Sequence, residues 1–285
     1  MMDAAVKTQT ENKFVTVAGL RTRYIEQGKG PAIIMLHGAS LGSSADVFRR
    51  NLGPLAAMGF RVISYDQPGF GLSDDPSDWG IKFRTAFILQ FMDALGIDKA
   101  TMIGHSQAGN MAVELALSNP DRVERVAVLG TGSLLKPLPE GDKKAGPAEG
   151  EEGGETEPTE ADARALLEKN LFNHNLITAD ELAIRLRMST GKNFKAFLAR
   201  NAAGAKNKGP KDPNKKAMWQ RLDEVKQPFL LIYGREDRGQ ASKRATELKQ
   251  DRPALDVHVV PNCKHLVPWD AEQDLYRLAG PFLRR

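Results

Sequence analysis

Short apolar runs alternate with amphipathic stretches along most of the chain. Ala32–Leu36, Phe60–Tyr65, Ala100–Ile103, Arg125–Gly130, Phe229–Gly234 and Leu255–Val260 are brief and rich in Val, Ile and Leu. Such runs predict strands buried on both faces, as in a parallel sheet. Between them, 48–58, 82–95, 111–117 and 271–283 carry helical patterns, the third ending at Asn119-Pro120. Phe14–Val17 and Arg21–Ile25 flank Ala18-Gly19 and predict an opening hairpin. Strands that alternate with helices place the chain in the α/β class, with a mainly parallel sheet flanked by helices.

The alternation breaks once. Pro137–Glu160 is rich in Gly, Pro, Glu and Lys with almost nothing to bury, which predicts a mobile loop. Residues 161–225 then read as helices, two of them Ala161–Asn170 and Ala179–Met188, the second capped by Thr178. The expected organisation is a core from 1–135, an acidic loop plus helical lid over 136–225, and the remainder of the core from 226–285.

The length of 285 residues allows a sizeable core, and 41% hydrophobic with 27% charged residues is ordinary for a soluble protein. No apolar stretch reaches the ~20 residues that a membrane span needs. Residues 1–13 are polar, unlike a signal peptide, and Cys263 is the one cysteine. That excludes a disulfide framework or a cysteine-rich zinc site and predicts a cytoplasmic protein. The net charge of +4 hides an acidic stretch over 140–162 and a basic one over 192–221. The basic stretch has few aromatics and no nucleic-acid motif, so it reads as a solvated surface.

The candidate chemistry lies at the ends of the predicted strands. Gly104-His105-Ser106-Gln107-Ala108-Gly109 sits between a strand and a helix, with small residues around a serine. That pattern suits a turn so sharp that larger side chains would clash, and it exposes the serine as a nucleophile. A serine needs a base. Of the five histidines, His265 follows the last strand, whereas His258 lies within it. Asp237, with Glu236 as rival, follows the preceding strand and can orient the imidazole. The order Ser106, Asp237, His265 is the chain order of one triad-bearing fold. The oxyanion of acyl transfer needs amide donors. Gln107 offers one, and the loop His37-Gly38-Ala39-Ser40 offers Ala39 or Ser40.

"LHGAS" (36–40), "YDQPGFGLSD" (65–74), "GHSQAG" (104–109), "YGREDR" (233–238) and "CKHLVPWD" (263–270) together resemble the α/β-hydrolases. The resemblance implies an α/β-hydrolase fold with a helical lid. "LFNHNLITADELAIRLRMS" (171–189), "GREDR" and "HLVPWD" are similar to the meta-cleavage product hydrolases, which cut carbon–carbon bonds in vinylogous 1,5-diketones from aromatic ring degradation. That family holds its substrate's carboxylate with a lid arginine, which matches Arg185, or Arg187 as the alternative. Leu171, Phe172 and Leu176 are then expected to line an apolar pocket, with Gly38, His105, Leu266 and Trp269 as further substrate contacts. The resemblance implies no cofactor and no metal, a small apolar or aromatic dienoate as partner, and a homodimer or larger homo-oligomer.

The chain departs from that family at its elbow, where His105 and Gln107-Ala108-Gly109 replace the usual asparagine and Met-Gly-Gly. Alternative readings are a carboxylesterase or lactonase with the same triad, and a ligand receptor on a hydrolase scaffold. Dehalogenases and epoxide hydrolases, suggested by "DQPGFGLSD", use an aspartate where this chain has Ser106.

Overall fold

The computed structural model describes residues 10–139, 155–206 and 216–284. Most of the expected acidic loop and the lysines at 208, 211 and 215 lie outside the described residues. Eight strands form one sheet: β1 (Lys13–Val17), β2 (Leu20–Gln27), β3 (Ala32–Leu36), β4 (Arg61–Tyr65), β5 (Ala100–His105), β6 (Val123–Leu129), β7 (Phe229–Gly234) and β8 (Asp256–Val260). Their order is β1-β2-β4-β3-β5-β6-β7-β8. β1 and β2 join antiparallel, and every pairing from β4 to β8 is parallel. The predicted strands are all present, most within two residues of their expected ends.

Side chains that alternate along each strand feed two cores. On β3, Ile34 and Leu36 join one cluster with α2 (Ile81–Ala94), α3 (Gln107–Ser118) and α7 (Ala241–Asp251). Ile33 and Met35 join the other with α1 (Arg49–Ala57), α8 (Val267–Asp270) and α9 (Glu272–Arg284). Both faces are therefore covered, which explains the uninterrupted apolar runs.

Strand connections open a crevice at one edge of the sheet. From β3 the chain passes to β4 on one side, then to β5 on the other. The direction reverses between β3 and β5, and the loops after those two strands diverge at their carboxyl ends.

α4 (Glu160–Asn170), α5 (Ala179–Arg187) and α6 (Lys192–Lys206) lie between β6 and β7 in the chain. Thr159 starts α4 with a capping box to Asp162, and Thr178 caps α5 through the Glu181 amide. Both caps satisfy first-turn N–H groups that would otherwise lack partners. The expected helical stretch from 207 to 225 holds only short 3₁₀ turns among its described residues, at Met218–Gln220 and Leu222–Glu224. The basic stretch is not uniformly solvated. Arg200 lies 3.6 Å over the Phe70 ring and donates to the Gly69 carbonyl, pinning α6 to the loop after β4.

Candidate active site

Ser106 occupies the turn from β5 to α3 with φ +55° and ψ −131°. A non-glycine residue there stores roughly 1–3 kcal/mol of strain. The surroundings enforce it: Ser106 N–H donates to Leu129 O, and Thr131 Oγ1 donates to Ser106 O. A Cβ on Gly104 would come 2.6 Å from Ala108 O, and one on Gly109 would come 2.1 Å from Thr131 Oγ1. Position 108 tolerates alanine, whereas 109 requires glycine; the last glycine of the elbow has moved by one.

His265 reaches back from the loop after β8, and its Nε2 lies 3.0 Å from Ser106 Oγ. Its Nδ1 is 3.1 Å from Asp237 Oδ2, so Nδ1–H donates and Nε2 accepts from the serine hydroxyl. Burial pulls the Asp237 carboxyl up, but the His265 ring and Arg238 outweigh it and hold it below the usual range. Glu236 has a different place. Its Oε2 accepts the Cys263 N–H at 2.9 Å, which fixes the loop that carries His265.

The crevice is lined by Gly38, Ser40, His105, Ser106, Arg185 and His265, with Leu166, Leu167, Asn170 and Arg238 on further sides. The amides of Ala39, Ser40 and Gln107 donate no hydrogen bond to the described residues; Gln107 follows Ser106 at the start of α3, and Ser40 lines the crevice with Ser106. Arg185 is buried, and its Nη2 donates to Ser40 Oγ at 3.0 Å. It lies at the junction with a second hollow formed by Val47, Glu181, Leu266 and Trp269.

Several expected contacts are corrected. Arg187 is exposed, because α5 turns it away from the face that carries Arg185. Phe172 is 45% exposed, its backbone N–H tied to Asp270 Oδ2. Leu171 is fully buried in the core, and Leu176 packs on that core from outside the crevice. The apolar wall comes from Leu166, Leu167 and Val47, together with the expected Leu266. Residues 166 and 167 share one face of α4 with the buried Ala163, a helical spacing visible in the sequence but assigned there to no site.

His105, expected among the substrate contacts, turns its ring into the crevice, 5.0 Å from the His265 ring. Nε2 donates to His265 O at 2.9 Å, so Nδ1 is left as an acceptor. That Nδ1 is buried without a partner, and a Cβ on Gly38 would lie 3.5 Å from it. His37 is likewise buried: its Nδ1 donates to Gly38 O, and its Nε2 accepts the Gln67 N–H. Burial lowers both rings to about 3.

These two rings set an acid limit on stability. The unfolded chain protonates them near 6.5 and the fold only near 3, so the unfolded state binds more protons in between. Stability therefore falls as pH drops through that window, by about 1.4 kcal/mol per pH unit for each ring. Urea midpoints between pH 7 and pH 4 should show this slope, and His105→Asn should remove roughly half of it. An unchanged slope in that variant would exclude His105 as a contributor.

Residues 31–272 match the alpha/beta hydrolase fold family. The chain is 33% identical to a 2-hydroxy-6-oxo-6-phenylhexa-2,4-dienoate hydrolase of Burkholderia cepacia, over 96% of each chain. It is 30% identical, over the whole of both chains, to a 2-hydroxy-6-oxononadienedioate/2-hydroxy-6-oxononatrienedioate hydrolase of Burkholderia vietnamiensis. Among solved structures it is similar to a meta-cleavage product hydrolase from Pseudomonas fluorescens, with a TM-score of 0.75 and 25% identity. That match covers 95% of this chain and 97% of the other.

Proposed function

The chain belongs to the alpha/beta hydrolase family, in the branch of the 2-hydroxy-6-oxo-dienoate hydrolases, and from that premise we propose that it hydrolyses a carbon–carbon bond in such a dienoate. The observation that carries the proposal is the Ser106–His265–Asp237 chain of contacts opening into a crevice that also holds Arg185.

Arg185 takes the substrate carboxylate, since a guanidinium fork pairs with it in two parallel hydrogen bonds. The 2-hydroxyl next to that carboxylate is a donor, and the acceptor-only Nδ1 of His105 suits it. Ketonisation moves the hydroxyl proton to C5. His265, oriented by Asp237, takes a proton from Ser106 or a water, which attacks the C6 ketone. The oxyanion is received by the amides of Gln107 and of Ala39 or Ser40. The C5–C6 bond then breaks with its electron pair delocalised toward C2, and the departing dienolate takes the proton held by His265. Where Ser106 attacked, a water activated by His265 then hydrolyses the acyl-serine to the acid and restores the hydroxyl. α4 and α5 act as the lid over this crevice, and the reading extends to a cytoplasmic homo-oligomer, which sedimentation would test.

A spectrophotometric panel of ring-cleavage dienoates beside nitrophenyl esters tests the bond class. Turnover of esters far above that of dienoates would favour a carboxylesterase or lactonase. On the dienoates, Arg185→Gln should raise KM by roughly 10–100-fold, the loss of hydrogen bonds to a charged group. Arg187→Gln should stay within about twofold, as expected of an exposed residue. Equal effects of the two substitutions would remove the carboxylate clamp.

A further inference from the structure

We infer that Arg84 is a positioning residue of the oxyanion hole, holding both of its walls from behind with a buried positive charge. This rests on the hydrolase reading above.

Arg84 lies on α2, outside the crevice, and is 5% exposed. Its Nη2 donates to Gln107 Oε1 at 2.7 Å, and its Nη1 donates to Gln67 Oε1 at 3.2 Å. Gln107 contributes one amide of the hole through its backbone. Gln67 serves the opposite wall: its Nε2 donates to His37 O at 2.5 Å, and its backbone N–H donates to His37 Nε2. His37 Nδ1 in turn donates to Gly38 O at 2.7 Å. One guanidinium therefore spans from the elbow to the loop after β3, across the crevice where the sheet order reverses.

The charge itself needs an explanation. Among the described residues Arg84 has no carboxylate partner, and its Nε is buried without any partner. Around it lie two neutral amide oxygens, the Phe70 ring at 5.7 Å, the Tyr65 hydroxyl and the like-charged Arg200. Burying an ion without a counter-ion costs several kcal/mol, and neutral side chains would have tied the same loops together at less cost. A cation behind the hole gains its counter-charge when the oxyanion forms. An interaction of that kind is stronger in the transition state than in the ground state, so it raises kcat. The positive potential already reaches the hole's loop, where Arg84 and Arg200 both disfavour protonation of His37.

The test uses Arg84→Met, Arg84→Lys and Gln107→Leu in the full chain, with three readouts. The first is kcat and KM on the best substrate of the panel. The second is the affinity of a boronic acid, which forms a negatively charged tetrahedral adduct on the serine. The third is the thermal midpoint. Arg84→Met should lower kcat by about 10–100-fold and weaken boronate binding by a similar factor, with KM within about threefold. Arg84→Lys should recover part of both losses because it keeps the charge. Gln107→Leu combined with Arg84→Met should cost less than the product of the single effects. The inference is overturned if folded Arg84 variants shift only the thermal midpoint, with kcat and boronate affinity within twofold of wild type. If Arg84→Met does not fold, an Arg84→Lys variant with neither loss, alongside an unaffected Gln107→Leu, overturns it equally. A wild-type protein that neither turns over the panel nor binds boronate rejects the hydrolase reading, a result separate from these.

Discussion

Ser106→Ala is expected to lower kcat by roughly 10⁴–10⁶-fold on any substrate that the wild type turns over, with substrate affinity nearly unchanged. The hydroxyl is the only atom removed, and alanine fits the same buried turn. The strained backbone at φ +55° is held by Leu129 O, Thr131 Oγ1 and the close packing of Gly104 and Gly109, none of which involves Oγ. The variant should therefore fold normally, bind ligand and stall. Rapid mixing of Ser106→Ala with a dienoate, followed by absorbance and by titrated affinity, separates these effects. A variant with wild-type turnover would take Ser106 out of the reaction and leave His265 acting on water alone.

The second large effect concerns stability. Arg23 is almost fully buried, and its two Nη atoms each donate to Asp46 at 2.8 Å. Nη1 also lies 3.2 Å from Asp66 Oδ1, and Nε donates to Asn12. Arg23→Met leaves two carboxylates facing each other inside the protein, and such a loss costs about 3–5 kcal/mol. Asp66 further accepts the amides of Ala45 and Leu72, so the damage spreads into the loops before α1 and after β4. Burial alone would push the Asp46 carboxyl up, and the Arg23 hydrogen bonds and charge reverse that. Without Arg23 the folded pKa rises, and stability then declines as pH climbs through the unfolded carboxylate value. The deficit should therefore be larger at pH 7 than at pH 4.5, as urea midpoints at both pH values will report. A loss below 1 kcal/mol would mean that the cluster relaxes or takes in water.

The meeting of Ser106, His265 and Asp237 was legible in the sequence because each follows a strand whose composition marks it. The contacts made by residues 171–189 were less legible for a geometric reason. In "LFNHNLITADELAIRLRMS", both arginines and three apolar residues satisfy the pattern, and only the rotation of α5 turns Arg185 inward and Arg187 outward. Phe172 has the chemistry of a pocket wall but stands at the end of α4, where Asp270 anchors the backbone and leaves the ring in solvent. Arg84 showed no signal at all. It sits in an ordinary amphipathic helix, and its partners at 67 and 107 are distant in sequence.

The sequence by itself determined the α/β alternation, the small residues of the elbow and the order Ser106, Asp237, His265. Local propensity, short-range sterics and strand order are all written along one dimension. The tertiary structure alone decided which ring faces the crevice, which arginine reaches Ser40 and which buried cation ties Gln107 to Gln67. Those depend on helix rotation and on contacts between segments more than twenty residues apart, such as Arg84 with Gln107 and Arg185 with Ser40. Pairings across such distances follow from packing around the sheet, and no local pattern encodes them.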